Sequence, residues 1–371
     1  MTAAAWPQGY RQAQASPLAQ TLHTFSTETG VTYANSGTAA TQTLDSDSPF
    51  GATRLRVDAP SGNTWTEVQL HSISVPLFTD GNTVYFRIWL KDWNAITQIQ
   101  VFAGVTSYTR LAQNTFSIQN SDRNNRNGPI TIPLNSYDTT SNTFTWGTDT
   151  LGSVKIRVFA RSGFAPRFWV DSFGVGYRSR PQVLLTFDDA SQSWIDYVQP
   201  ALVARGIKAT FGVGTGQVGT NEALYVSTAD LLSLQSDGHQ LCAHNVTNTA
   251  YDLTSAGVAT YMAEYDAAVA SLQSWGINGP FNYHPFVQGK NDQALITTLA
   301  SRGVKVMRGV NTLSATVPRL NYPGCGTYSD NITSINVASH GSGLSLANAR
   351  TALGNLLKYG GTYCAMFHEI V

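Results

Sequence analysis

Two adjacent carboxylates, Asp188 and Asp189, end the apolar run Val183-Leu184-Leu185-Thr186-Phe187. A continuous run of this kind, stopped abruptly by charge, predicts a parallel strand buried on both faces. The carboxylates then emerge at the C-terminal edge of a sheet, where α/β folds gather their chemistry. Side by side they repel, so a cation or a proton must hold them. A plainer reading makes Asp189 the N-cap of a helix that starts near Trp194. The second polar end is Gly238-His239-Gln240-Leu241-Cys242-Ala243-His244-Asn245-Val246-Thr247-Asn248. His244 stands where a strand is expected to stop, and Asn248 follows four residues on, one helical turn if the chain coils there. One carboxylate, one imidazole and a third oxygen or nitrogen donor make a divalent-metal site with positions left for water. A lone histidine would read as a satisfied core residue; beside an acidic strand end it reads as a ligand.

The elements that must position these groups change character along the chain. Residues 1–20 show no period and read as a lead-in or attachment segment, through which the chain would join a virion or further copies of itself. From 21 to 178, short alternating runs such as 53–58, 66–75, 83–90, 97–105, 129–134, 153–160 and 168–177 are separated by Asn, Gly, Ser and Asp. Many strands spaced by turn signals predict an antiparallel jelly-roll β-sandwich. Trp65, Trp89, Trp93 and Trp146 offer flat faces for stacking on sugar rings, although aromatic residues at strand spacing usually serve the core. Arg178-Ser179-Arg180-Pro181 reads as a linker. From 181 to 371 the rhythm becomes strand–helix, with strands expected at 183–187, 208–213, 239–244, 281–286, 304–308, 334–339 and 362–368. Helices are expected between them, at 193–205, 228–236, 256–275, 292–302 and 346–357. Because charged or polar residues end several of these strands, a distorted (β/α)7 barrel fits better than an open sheet. The fold class is thus multidomain, β plus α/β.

Bulk properties narrow the function. The chain has 371 residues, room for two domains, with formal net charge +0 and only 12% charged residues. That is about half the usual charged share. No basic footprint exists for nucleic acid or anionic lipid. No run approaches the roughly 18 apolar residues of a bilayer span, and residues 1–20 show no signal peptide. A polar surface made of Ser, Thr, Asn, Gln and Gly suits an extracellular or virion-surface protein. Three cysteines without a C-x-x-C pair argue against a disulfide framework, and Cys242 and Cys364 read as small buried strand residues. Gly214-Thr215-Gly216-Gln217-Val218-Gly219 fits G-x-G-x-x-G, yet no helix is expected to open from it, which disfavours a dinucleotide site. No G-x-S-x-G occurs, and His340 reads as a loop residue.

Taken together, Thr186-Phe187-Asp188-Asp189, the stretch Gly238 to Asn248 and Met366-Phe367-His368 resemble the first, second and last motifs of the polysaccharide deacetylases, carbohydrate esterases with a NodB-type domain. Phe281-Asn282-Tyr283-His284-Pro285-Phe286 resembles the aromatic–proline third motif, and Arg308 lies where an Arg or acidic residue usually follows. The resemblance covers 181–371. Phe168-Trp169-Val170-Asp171-Ser172-Phe173-Gly174-Val175-Gly176 resembles the last strand of carbohydrate-binding-module-like jelly rolls.

The deacetylase resemblance implies Asp188 as general base, Asp189, His244 and Asn248 as ligands of a divalent metal, Zn²⁺, and His368 as general acid. It implies an acetyl pocket shaped by Pro285 and Phe286, with the backbone near Tyr283 aiding the oxyanion and His284 in the same substrate-binding stretch. Three departures stand out. Asn248 replaces a second histidine and is a weaker donor to zinc, a gap that water or His284 would fill. The third-motif arginine is missing, so Arg308 is expected to orient the base. The chain also stops three residues after His368, which reads as a barrel shortened at its C-terminal side. The expected reaction is metal-dependent hydrolysis of N- or O-acetyl groups on an acetylated surface polysaccharide, in a secreted enzyme or a bacteriophage tail component. Its rival is a non-catalytic glycan-binding or virion-structural protein with a degraded site.

Overall fold

A computed structural model describes residues 20–368 apart from 76–83, 93–94, 107, 118–128, 135–140, 177–180, 250–254, 292, 312–326, 329–331, 340–345 and 360–361. Trp93, Cys325, His340, the 1–19 lead-in and the linker residues Arg178, Ser179 and Arg180 lie outside the described residues. Two compact units result: Met1–Pro181 with Tyr322–Asp330 and Asn355–Gly361, and Gln182–Asn321 with Asn331–Gly354 and Thr362–Val371.

The first unit contains β1 (Gln20–His23), β2 (Val31–Asn35), β3 (Thr41–Asp45), β4 (Arg54–Asp58), β5 (Trp65–Val75), β6 (Val84–Leu90), β7 (Ile96–Gly104), β8 (Leu111–Ser117), β9 (Pro129–Leu134), β10 (Ser141–Asn142), β11 (Leu151–Ala160) and β12 (Arg167–Val175). They form two antiparallel six-stranded sheets, one ordered β3-β4-β12-β6-β9 with β1 on β12, the other β10-β8-β7-β11-β5-β2. Period-two alternation explains the core: Leu55 and Val57, then Val154, Ile156 and Val158, are fully buried, while Arg54, Arg56, Lys155 and Arg157 point away from it. Each such side chain contributes roughly 1.5–3 kcal/mol by leaving water.

On the outward face of β5 the Glu67 carboxylate is only 1% exposed, with Arg157 Nη2 at 2.7 Å and Lys155 Nζ at 3.4 Å. The guanidinium of Arg157 lies 4.3 Å from the Trp65 ring centroid, so a cation covers the tryptophan considered above as a sugar platform. Trp89 meets Phe50 edge to face, and Trp146 meets Phe144 in the same way while packing on the core.

The second unit contains β13 (Gln182–Asp188), β14 (Thr210–Val213), β15 (Gln240–Ala243), β16 (Tyr283–Pro285), β17 (Val306–Asn311), β19 (Ile332–Ser339) and β20 (Thr362–Phe367), while the two-residue β18 (Thr327–Tyr328) falls in the stretch grouped with the first. The strand order in the second unit is β15-β14-β13-β20-β19-β17-β16, and the pairs along this path are parallel. The helices are α1 (Gln199–Val203), α2 (Thr228–Ser236), α3 (Ser255–Ser274), α4 (Gln293–Ser301) and α5 (Leu346–Tyr359), the last grouped with the second unit only as far as Gly354.

The helix expected at 193–205 opens instead as a π-helical turn, Trp194–Val198, before α1. Its N-cap is Ser193, with no side-chain cap bond, so Asp189 does not cap it. By contrast, α2 starts with a full capping box between Ser227 and Asp230. Since α2 begins at Thr228, no helix opens from the glycine-rich turn at 214–219. Cys242 and Cys364 are free and buried, in β15 and β20. No helix among the described residues is long and apolar enough to cross a membrane.

Candidate active site

Asp188 is the last residue of β13 and is 3% exposed. It can lie this deep because β14 presents Gly212 beside it: a Cβ there would come within 2.8 Å of Asp188 Oδ1 and of Pro285 Cγ. A buried carboxylate needs a cation, and Arg308 of β17, itself fully buried, supplies it through Nη2 to Asp188 Oδ2. Burial is the largest single influence and works against the Arg308 charge, but the Asp188 carboxylate together with Tyr283 and Cys364 outweighs it and holds the guanidinium pKa above its ordinary value. Arg308 Nη1 also points at the Met366 sulfur. Asp188 Oδ1 has no hydrogen-bond partner and so retains its capacity to accept a proton or a hydrogen bond. The same enclosed setting raises the thiol of Cys242, by burial first and the Asp188 charge second.

After Asp188 the backbone turns through two consecutive left-handed residues, Asp189 at φ 78° and Ala190 at φ 54°. Non-glycine residues in this region cost of order 1–3 kcal/mol each and concentrate at functional sites. The turn brings three side chains to the Asp189 carboxylate. Asn248 Nδ2 donates to Oδ1 at 2.5 Å, His244 Nε2 stands 3.5 Å from Oδ1, and His368 Nε2 stands 3.7 Å from Oδ2. His244 Nδ1 lies 2.9 Å from the Pro285 carbonyl. A carbonyl only accepts, so Nδ1 carries the proton and the Nε2 lone pair is the one turned to Asp189. The His368 side chain is 50% exposed, and its backbone carbonyl accepts from the indole N–H of the fully buried Trp194 at 3.3 Å.

Asp188, Asp189, His244, Asn248 and His368 share one cavity of about 210 Å³. Phe286, Met366 and Gln288 complete its walls. Among the four residues expected to bind substrate, Phe286 alone lines this cavity. The Pro285 carbonyl is taken up by His244, and Tyr283 is 1% exposed with its hydroxyl buried and unpartnered. His284 is fully buried, with Nδ1 3.0 Å from the Ala243 carbonyl and Nε2 2.7 Å from the Tyr261 hydroxyl. Burial, and then the neighbouring His244, push its pKa down to about 3. With both nitrogens engaged, His284 does not fill the place left by Asn248.

Gln288 carries no sequence signal as a site residue, and Met366 enters the sequence analysis only as part of the last motif, with no lining role expected of it. Gln288 reaches the cavity from a short 3₁₀ turn in which it is itself left-handed, at φ 51°, a conformation no local sequence signal announces. Met366 sits two residues before His368, so strand alternation places it on the same side of β20.

As a donor set, Asp189, His244 and the Asn248 amide offer one carboxylate oxygen, one imidazole lone pair and one neutral group. No three His, Cys, Asp or Glu side chains among the described residues are grouped to hold a metal unaided. The set fits a divalent cation once the Asn248 amide turns its oxygen inward, a rotation that moves no backbone.

No curated protein matches the chain. Similar solved structures include IcaB from Ammonifex degensii, 21% identical over 34% of this chain and 58% of that one, with a TM-score of 0.31. The Streptococcus pyogenes deacetylase PplD in complex with acetate is 19% identical over 47% of this chain and 69% of that one, TM-score 0.37. A carbohydrate-binding module specific for non-crystalline cellulose, CBM28, is 17% identical over 44% of this chain and 94% of that one, TM-score 0.30. The chain thus spans 58% of the length of the Ammonifex protein. Residues 176–307, the stretch that holds Asp188, Asp189, His244, Asn248 and Phe286, match the family model of the polysaccharide deacetylases.

Proposed function

We propose that this chain hydrolyses acetyl groups from a cell-surface polysaccharide with the help of a divalent metal, Zn²⁺. The observation that carries this reading is a buried, arginine-paired Asp188 in one cavity with Asp189, His244 and, across from them, His368. Asp189, His244 and Asn248 would hold the metal, which when bound polarises the acetyl carbonyl and acidifies a water. Arg308 holds the Asp188 carboxylate through Oδ2 and leaves Oδ1 to take a proton from the attacking water. His368, half-exposed at the rim, gives a proton to the departing amine or alkoxide. Phe286 and Met366 supply apolar walls beside the acetyl methyl. We further propose that the parallel sheet closes as a (β/α)7 barrel, that the first unit is a jelly roll, and that the protein works outside the cell or on a virion surface, where its low charge suits it.

The second reading, a glycan-binding or virion-structural protein without catalysis, is favoured by Asn248 alone, whose amide donates to Asp189 in place of a second imidazole. Metal content after purification, together with acetate release from chitin oligomers, peptidoglycan and capsular polysaccharide, separates the two. Bound zinc and acetate from one of them is the expected result. No metal and no acetate from any of the three would refute the enzyme.

A further inference from the structure

The two end strands of the parallel sheet, β15 and β16, are joined by no ladder among the described residues. Ala243 N–H bonds to the Pro280 carbonyl at 3.0 Å and Gln240 Nε2 to the Gly279 carbonyl at 3.3 Å, both in the segment that leads into β16, and two imidazoles complete the link. These imidazoles reach across the gap in opposite directions: His284 of β16 to the carbonyl of Ala243, and His244 to the carbonyl of Pro285, at 3.0 and 2.9 Å. Each histidine therefore bonds to the residue beside the other. Both acceptors are carbonyls, so both Nδ1 atoms carry hydrogen, which in a neutral imidazole leaves the lone pair on Nε2.

The two lone pairs have different fates. That of His284 accepts from the Tyr261 hydroxyl at 2.7 Å, whose oxygen in turn accepts from Val287 N–H at 3.3 Å. That of His244 is left to face Asp189. Proline at 285 has no N–H, and Phe286 N–H is taken by the Arg308 carbonyl at 2.9 Å, so β16 is tied to β17 on its other side. The rings of Tyr261, Tyr265 and Phe286 stand edge-on to the His284 imidazole, with centroids 5.7, 5.0 and 5.5 Å away, which stops it from turning.

We infer that His284 and Tyr261 are positioning residues for His244. The reciprocal histidine clasp shuts the gap between β15 and β16 and fixes the tautomer and direction of His244, so that Nε2 is presented to the cation site. This rests on the metal reading above. Partners in a second layer of this kind set ligand orientation, and losing one costs about 10–100-fold in metal affinity.

The test uses the full chain with zinc alone, titrated against a chromophoric chelator, and long-range ¹H–¹⁵N spectra of the imidazoles in metal-free protein. The wild type should show both His244 and His284 protonated at Nδ1. His284→Leu should bind zinc about 10–100-fold more weakly and should mix the His244 tautomers. His284→Asn, whose amide can still donate to the Ala243 carbonyl, should recover most of that loss. Tyr261→Phe, which keeps the ring and removes only the hydroxyl, provides a milder variant should His284→Leu fail to fold, and should also weaken zinc binding. A purely structural role would lower stability and leave tautomer and affinity untouched. The clasp is overturned by an Nε2–H tautomer of His244 in the wild type, or by unchanged affinity in folded His284→Leu or Tyr261→Phe. If the wild type takes up no zinc, the metal reading falls, and the clasp is then judged on the His244 tautomer.

Discussion

Replacing Arg308 by methionine should be among the most damaging single changes available in the second unit. The Asp188–Arg308 side chains are 4% and 0% exposed, so water neither screens the pair nor can solvate the carboxylate once its partner is gone. Breaking a pair of this kind by removing one member costs about 3–5 kcal/mol, because a bare buried charge remains. Near the middle of that range, about 4 kcal/mol corresponds to close to a thousandfold change in the folding constant. At roughly 2–4 °C per kcal/mol in a unit of this size, the midpoint should fall by about 8–16 °C.

The carboxyl should respond as well. Without its ion-pair partner Asp188 is no longer held in place as a base, and kcat/KM for acetate release should fall about 10²–10⁴-fold. Pairing Arg308→Met with Asp188→Asn in a double-mutant cycle should restore most of the stability and none of the turnover, with a coupling energy above about 2 kcal/mol. Calorimetry and urea melts of the four proteins measure the first part, and acetate-release kinetics of the single variant measure the second. Arg308→Met within about 1 kcal/mol of the wild type, with kcat/KM unchanged, would refute the assignment of Arg308 as the group that pairs with and positions Asp188.

Four further outcomes are expected. Asn248→His should raise zinc affinity at least about tenfold in a chelator competition, since an imidazole replaces a neutral amide. His368→Ala should slow turnover about 10²–10⁴-fold while leaving zinc affinity within a factor of about two, the signature of a lost proton donor. His284, held at about 3 when folded against 6.5 when free, stays neutral in the folded chain while the unfolded chain takes up its proton. Stability should therefore be undiminished by this group above pH 6.5 and fall with a slope of up to about 1.4 kcal/mol per pH unit toward pH 3, and urea melts of His284→Asn should lack that component. Glu67→Gln should cost the first unit about 1–3 kcal/mol in a urea melt, less than a fully buried pair because Lys155 and Arg157 remain 14% and 24% exposed.

The strand–helix rhythm of the second unit was legible because each strand is a short apolar run closed by a polar end. Val183–Asp189 is the clearest of these, and β13 ends at Asp188. Strand ends also identified Asp188, Asp189 and His244, which the cavity brings together. Which side of a doubly buried strand faces the site was not legible. Tyr283 and His284 look as eligible as Phe286 when every residue from Tyr283 to Phe286 is apolar or aromatic, and Pro285 contributes its carbonyl, which side-chain patterns do not reveal. The meeting of Arg308 with Asp188 across 120 residues depends on sheet order, and nothing local in either strand encodes that order. The capping role considered for Asp189 fails for a physical reason: two left-handed residues turn the chain before the helix can begin.

The position of β20 has a consequence for how the protein is made. This strand carries Met366 and leads into His368, and it lies between β13 and β19 in the interior of the sheet. Of the described strands it is the last to leave the ribosome. Until it arrives, β13 has β14 on one side and an open, apolar edge on the other, at Leu184, Leu185 and Thr186, where Cys364, Ala365 and Met366 later pair. A nascent chain stalled before residue 362 should thus be both inert and sticky, an unpaired strand waiting for its neighbour. Activity in this unit cannot precede synthesis of its final described strand, and conditions that slow release should favour aggregation over premature chemistry.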